Sequence, residues 1–231
     1  MSKTKDAYLK FLEKFYSGLE DFPLSRVIKN PDNVVIVSVD VTNAFCRSGN
    51  LASQRIARII DPIINLFDLA WESGLRNFVL LHDCHTPDAE EFDDFAPHAV
   101  CGSFESEAVD EFKALPYFSS FTIIKKNSIN PAQGTIFEEW VTNHSRIDTF
   151  IVVGDCTDLC VYQTAMHLVT AANANDIDRR VVLPENCVET YDLPVDTAVE
   201  LGIEPHPGEF LHRLFLHHMH LNGVEICKKL R

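Results

Sequence analysis

Cys156 and Cys160 stand four residues apart in GDCTDLCV (154–161), where an apolar run gives way to a helical pattern. Such a pair can bind a metal, form a redox couple or supply one nucleophile. Zinc sites and thioredoxin-like couples usually use two intervening residues rather than three, and no other close cysteine pair here completes a zinc shell. Cys160 falls in the first turn of a helix whose expected cap is Thr157, with Asp158 in the first turn. Unpaired N–H groups and a partial positive charge gather there, a setting that favours the thiolate of a nucleophilic cysteine. The competing reading is an inert thiol buried in an apolar helix. Cys156 matters more through its backbone, since its N–H and that of Cys160 can point together at a developing oxyanion.

Other candidates stand where apolar runs end. Asp40 follows VVIVSV, and Lys125 and Lys126 follow FTII. A partly desolvated Asp beside a Lys can exchange protons with a thiol. Asp83 and His85 lie two apart in HDCH, so an extended backbone sends both side chains to one face. His98 follows a proline in APHAVCGS, and Glu91 lies between. Asp, His and His, completed by Glu or water, suit a divalent transition metal with open positions. His212, His217, His218 and His220, in FLHRLFLHHMHLNG, scatter around a helix axis and read as helix-surface residues.

The elements that must position these residues are apolar, β-branched runs near 34–39, 78–82, 121–124, 150–153, 180–183 and 224–226. Helical patterns lie near 54–73, 105–114, 135–143, 158–174 and 208–221. Runs apolar on both faces that alternate with helices predict an α/β fold: three layers, doubly wound, a mostly parallel six-stranded sheet with helices on both faces. Ligands bind such sheets beyond the carboxyl ends of the strands, where the candidates above collect. Residues 1–30 form a helical extension and 31–231 one domain, with no repeat or Gly/Ser linker to divide it. In the extension, Tyr8, Phe11, Leu12, Phe15 and Leu19 recur at helical spacing, a face expected to rest on the domain or a neighbouring subunit rather than a membrane.

Composition narrows the partners. Lys and Arg number 20 against 34 Asp and Glu, a net charge of −14, which argues against nucleic acid and anionic membrane surfaces. No run of eighteen apolar residues and no apolar leader is visible, and seven cysteines are an odd number. Reduced thiols in a cytoplasmic protein are the expectation.

Together these segments resemble the isochorismatase-like cysteine hydrolases, and within them the nicotinamidases, over about residues 33–228. VVIVSVDVTNAF is similar to the family's opening strand and aspartate, here Asp40, and IVVGDCTDLCV to its nucleophile turn, here Cys160. The family places Gly-Thr eight and nine residues after its catalytic lysine; Gly134-Thr135 stand at that distance from Lys126. The resemblance also implies a cis peptide between Asp155 and Cys156 and an oxyanion hole from the N–H groups of Cys156 and Cys160. HDCH and APHAVCGS resemble the nicotinamidase metal motifs, which makes Asp83, His85 and His98 ligands, with Glu91 joining as in some members. Aromatic residues matching Phe45 and Phe95 flank the substrate ring. Departures fall at Thr42, Ala44 and NSINPAQ after Lys126, and LPVDTAVELGIEPHPGEF (193–210) is longer than the usual connection.

The resemblance implies hydrolysis of nicotinamide to nicotinate and ammonia through a thioester, with one divalent transition metal per chain, zinc ahead of iron or manganese. A small-molecule amide is the expected partner, and self-association is a family habit. Rival readings are a metal-independent relative acting on another small amide, ureide or carbamoyl compound, and a binding protein that keeps the fold without turnover.

Overall fold

The computed structural model describes residues 3–231. The apolar runs become the strands β1 (Val34–Val39), β2 (Phe78–Asp83), β3 (Thr122–Lys126), β4 (Thr149–Asp155) and β5 (Arg180–Pro184), followed by the two-residue β6 (Val188–Glu189) and by β7 (Glu225–Cys227). They form one sheet in the order β3-β2-β1-β4-β5-β7, with β6 beside β4. All pairings are parallel. The expected sheet thus gains a seventh strand, which at two residues is too short to show a period.

β1, β2 and β4 are buried along their whole length, which is why they read as continuous apolar runs. Their alternate residues feed two cores. Ile36, Leu80 and Ile151 meet Ile63 and Phe67 of the helix Ile60–Glu72 on one face. Val37, Leu81 and Val152 meet Leu168 and Leu216, from the helices Cys160–Ala174 and Gly208–Leu221, on the other. Among the described residues no helix is long and apolar enough to cross a membrane.

The N-terminal helix Lys3–Ser17 lies on the helix Gly208–Leu221. Tyr8 bonds His217 Nδ1 at 3.0 Å, and the Phe11 and Phe15 rings stand edge-on to the same imidazole. This cover explains a departure from the sequence reading. His217 and His212 are buried, whereas His218 and His220 stay exposed. A helical wheel of the last helix alone cannot show which face another helix will cover.

The expectation of seven reduced thiols is also corrected. A disulfide joins Cys84 to Cys101, and Cys46, Cys156, Cys160, Cys187 and Cys227 are free. The cause is local: His85 and Val100 pair as a short parallel bridge beyond β2, bringing the neighbouring cysteines to a Cα separation of 4.5 Å. Denatured without reductant, the protein is expected to titrate five thiols, rising to seven after reduction; seven at the outset would remove the bridge.

Candidate active site

The strand order sets the carboxyl ends of β3, β2, β1 and β4 side by side. The register pairs Asp83 with Lys126, so cation and carboxylate emerge from neighbouring strands at one level. Alternation along β3 buries Ile124 and Lys126 and exposes Ile123 and Lys125. Asp40 leaves β1 with φ 55°, a left-handed conformation that Asp tolerates better than most residues, at a cost of about 1–3 kcal/mol. Next to it, Gly154 lets β4 pass close to β1: a Cβ there would stand 2.0 Å from the Val39 carbonyl oxygen. A cis peptide then joins Asp155 to Cys156, and the helix starts at Cys160.

Asp40, Lys126 and Cys160 meet in this buried corner. Lys126 Nζ is 2.7 Å from Asp40 Oδ2 and 3.5 Å from Cys160 Sγ, and it also bonds the Asp83 carboxylate. Asp40 Oδ1 accepts the Asp83 N–H at 2.8 Å. Burial, reinforced by Asp83, pushes Asp40 up to about 7 against the pull of Lys126. Burial acts the same way on Asp83, but Lys126 and His85 outweigh it and hold that carboxyl down at about 2. For Lys126 burial works toward neutrality, yet Asp40 and Asp83 overcome it and raise the ammonium well above its ordinary value.

Cys160 departs from the sequence reading in its electrostatics. Burial pushes its thiol well up; Lys126 opposes this, while Asp40 and Asp83 add to it. The helix end therefore does not by itself hold a thiolate, and proton transfer to a neighbouring base is needed. Thr157 and Asp158 also serve differently. Leu159 occupies the cap position without a side-chain bond, Thr157 Oγ1 lies 2.8 Å from His212 Nδ1, and Asp158 stands before the helix.

Asp83 links this corner to a second cluster. Asp83, His85 and His98 each offer a donor atom within 4.8 Å of one another. His85 Nε2 is 3.5 Å from Asp83 Oδ1 and 3.8 Å from Glu91 Oε1; His98 Nε2 is 3.9 Å from Asp83 Oδ2 and 4.0 Å from Glu91 Oε1. Each imidazole is oriented through its other nitrogen, His85 Nδ1 on Asn127 Oδ1 at 3.1 Å and His98 Nδ1 on the Ala96 carbonyl at 2.9 Å. Donation from Nδ1 leaves the Nε2 lone pairs facing the carboxylates. His85 Nε2 is buried without a hydrogen-bond partner. An orphaned, oriented imidazole nitrogen among carboxylates fits a divalent cation.

Phe45, Phe95, His98 and Cys160 line one pocket, together with Asp155 and Tyr191. Several contributors escaped sequence reasoning. Asn127 opens the segment that departs from the family pattern, and Ile129 of that segment also lines the pocket while its N–H bonds Glu91 at 3.2 Å. Asp155 is fully buried with Oδ2 unpaired, and burial, followed by Asp40 and Asp83, pushes its carboxyl far up. Its place at the end of β4, next to Cys156 in GDCTDLCV, is its only signal in the sequence. Tyr191 and His206, before and in the long connection, have none.

Residues 34–201 match the family model for the isochorismatase domain. The sequence is 30% identical over 230 residues to Nicotinamidase 1 of Arabidopsis thaliana, covering 91% of each protein. The fold is similar to that of pyrazinamidase of Pyrococcus horikoshii, solved in complex with zinc, with TM-score 0.65 and 18% identity over 85% of this chain and 99% of that one. It is also similar to that of N-carbamoylsarcosine amidase from Thermoplasma acidophilum, with TM-score 0.62 and 21% identity over 85% and 96%.

Proposed function

This chain belongs to the isochorismatase family, and we propose on that premise that it is a metal-assisted cysteine amidohydrolase converting nicotinamide to nicotinate and ammonia. The observation that carries the reading is Asp83, which touches Lys126 on one side and faces His85 and His98 on the other, so that both clusters border one pocket. A metal-independent hydrolase has no need of the second cluster.

In this mechanism Asp40 takes the Cys160 proton while Lys126 balances the charge on both. The sulfur attacks the carboxamide carbon, and the N–H groups of Cys156 and Cys160 hold the oxyanion. Asp40 returns the proton to the departing nitrogen, ammonia leaves, and a thioester remains. Water then gives a proton to Asp40 and attacks the thioester, releasing the carboxylate and the thiol. Phe45 and Phe95 hold the ring between them. Asp83, His85 and His98, with Glu91, would hold a divalent cation, zinc ahead of iron or manganese, that supplies a Lewis-acid contact to the ring nitrogen.

Ammonia release from nicotinamide, with and without prior chelation, tests the reading. Chelator-sensitive turnover supports it. Chelator-insensitive turnover favours a metal-independent amidase, and no turnover in metal-loaded protein with a reactive Cys160 moves the substrate to another small amide. His85→Ala and His98→Ala are each expected to lower the metal retained after gel filtration, while Asn127→Ala should weaken metal affinity by about tenfold. Unchanged metal content in both histidine variants would overturn the ligand assignment.

A further inference from the structure

The long connection folds into a clamp. Its middle forms the helix Val195–Leu201, and its ends are tied by an antiparallel pair, Leu193 N–H to His206 O at 2.8 Å and His206 N–H to Leu193 O at 2.9 Å. The pairing fixes His206 in one place, where its ring makes three contacts. Nε2 lies 2.7 Å from Asp158 Oδ2, in the turn that carries Cys160. Nδ1 lies 3.0 Å from the Tyr191 carbonyl oxygen. The imidazole face stacks on the Tyr191 ring, with centroids 3.8 Å apart and planes 15° from parallel.

Two further features hold the same strip of chain. Thr190 Oγ1 donates to Asp158 Oδ1 at 2.6 Å, so both oxygens of that carboxylate are occupied. Gly208 is pressed against Tyr191 so closely that a Cβ would sit 2.3 Å from the Tyr191 carbonyl oxygen, while its N–H bonds Asp192 Oδ1 at 2.7 Å. Tyr191 lines the same pocket as Phe45, Phe95 and Cys160. Burial, followed by Cys156 and Asp158, pushes its phenol up to about 12, so this aromatic surface stays neutral. A tyrosine whose ring stacks on an imidazole and whose backbone is pinned by a close-packed glycine loses little freedom when a ligand arrives, and preorganisation of that kind favours binding.

We propose that Tyr191 is a specificity-determining wall of the substrate pocket and that His206 is the positioning residue holding it, so that the connection 193–210 selects amides carrying a planar aromatic ring. The inference deepens the amidohydrolase reading and rests on it for the identity of the reacting group. Tyr191 meets the ring and His206 touches no substrate. A small aliphatic amide would gain nothing from this wall.

Alkylation of Cys160 in the full-length, metal-loaded protein, followed by peptide mass spectrometry, tests the proposal without requiring turnover. Two reagents are compared: iodoacetamide, which carries no ring, and 3-(bromoacetyl)pyridine, which does. His206→Ala and Tyr191→Ala are expected to lower the pyridine-to-iodoacetamide rate ratio about tenfold, the size of one aromatic contact. Tyr191→Phe keeps the ring and should keep the ratio. An unchanged ratio in Tyr191→Ala overturns the proposal. So does equal slowing of both reagents in His206→Ala, which would make His206 a support of the Cys160 turn instead. Should His206→Ala not fold, His206→Gln retains a hydrogen bond to Asp158 while losing the stack, and it is read the same way. Failure of the wild-type protein to hydrolyse nicotinamide would count against the substrate reading alone, because the alkylation ratio is measured independently.

Discussion

Cys160→Ala is expected to lower kcat/KM for nicotinamide by at least about 10⁴-fold, because the proposed mechanism carries its acyl intermediate on the Cys160 sulfur. The substitution removes one sulfur and leaves the ion pair between Lys126 and Asp40 in place, along with the bond to Asp83. Metal content should therefore match the wild type, and the unfolding free energy should change by only about 1 kcal/mol. Cys156→Ala is the control. Cys156 is a free, buried thiol in the same turn, and its proposed role lies in its backbone N–H, which alanine keeps. Turnover within a few-fold of wild type is expected there. Residual activity above about one hundredth of wild type in Cys160→Ala would dismiss the nucleophile assignment. Collapse of both variants alike would point to damage to the turn.

The sequence and the fold agree where the place of a strand follows from local pattern. β1, β2 and β4 are legible because a strand buried on both faces must be apolar throughout, and their carboxyl ends mark where polar residues can gather. What local pattern cannot carry is partnership at a distance. Thr157 has the residue type of a helix cap, yet its hydroxyl bonds His212, 55 positions away. His206 reaches Asp158 across 48 positions, through a connection whose only visible property was its length. Counting cysteines says nothing about Cys84 and Cys101, whose approach depends on the pairing of His85 with Val100. Electrostatics fail for a related reason. The helix terminus beside Cys160 is visible in the sequence, but the burial and the two carboxylates that outweigh it belong to the assembled corner.

That corner makes the loss of Lys126 costly in stability. Its side chain is buried, with Asp40 Oδ2 2.7 Å from Nζ and Asp83 bonded to the same nitrogen. Lys126→Met keeps much of the volume and removes the cation that touches both carboxylates. Breaking one side of a buried ion pair costs about 3–5 kcal/mol, and that range is expected for the metal-free variant in urea unfolding, with turnover lost as well. The pH dependence identifies the cause. Without Lys126, Asp40 is held further above its unfolded value, near about 4, and Asp83 loses the ammonium that keeps it below that value. The folded variant then keeps protons that its unfolded chain releases, so its stability falls as pH rises and the deficit against wild type, small near pH 4, widens toward pH 8. Adding Asp40→Asn removes one of the stranded charges and should recover at least about 1 kcal/mol of the loss, a coupling between residues in direct contact. A deficit that is constant with pH, or that Asp40→Asn leaves untouched, would mean that Lys126 contributes through packing alone and that the charge balance assigned to this corner is wrong.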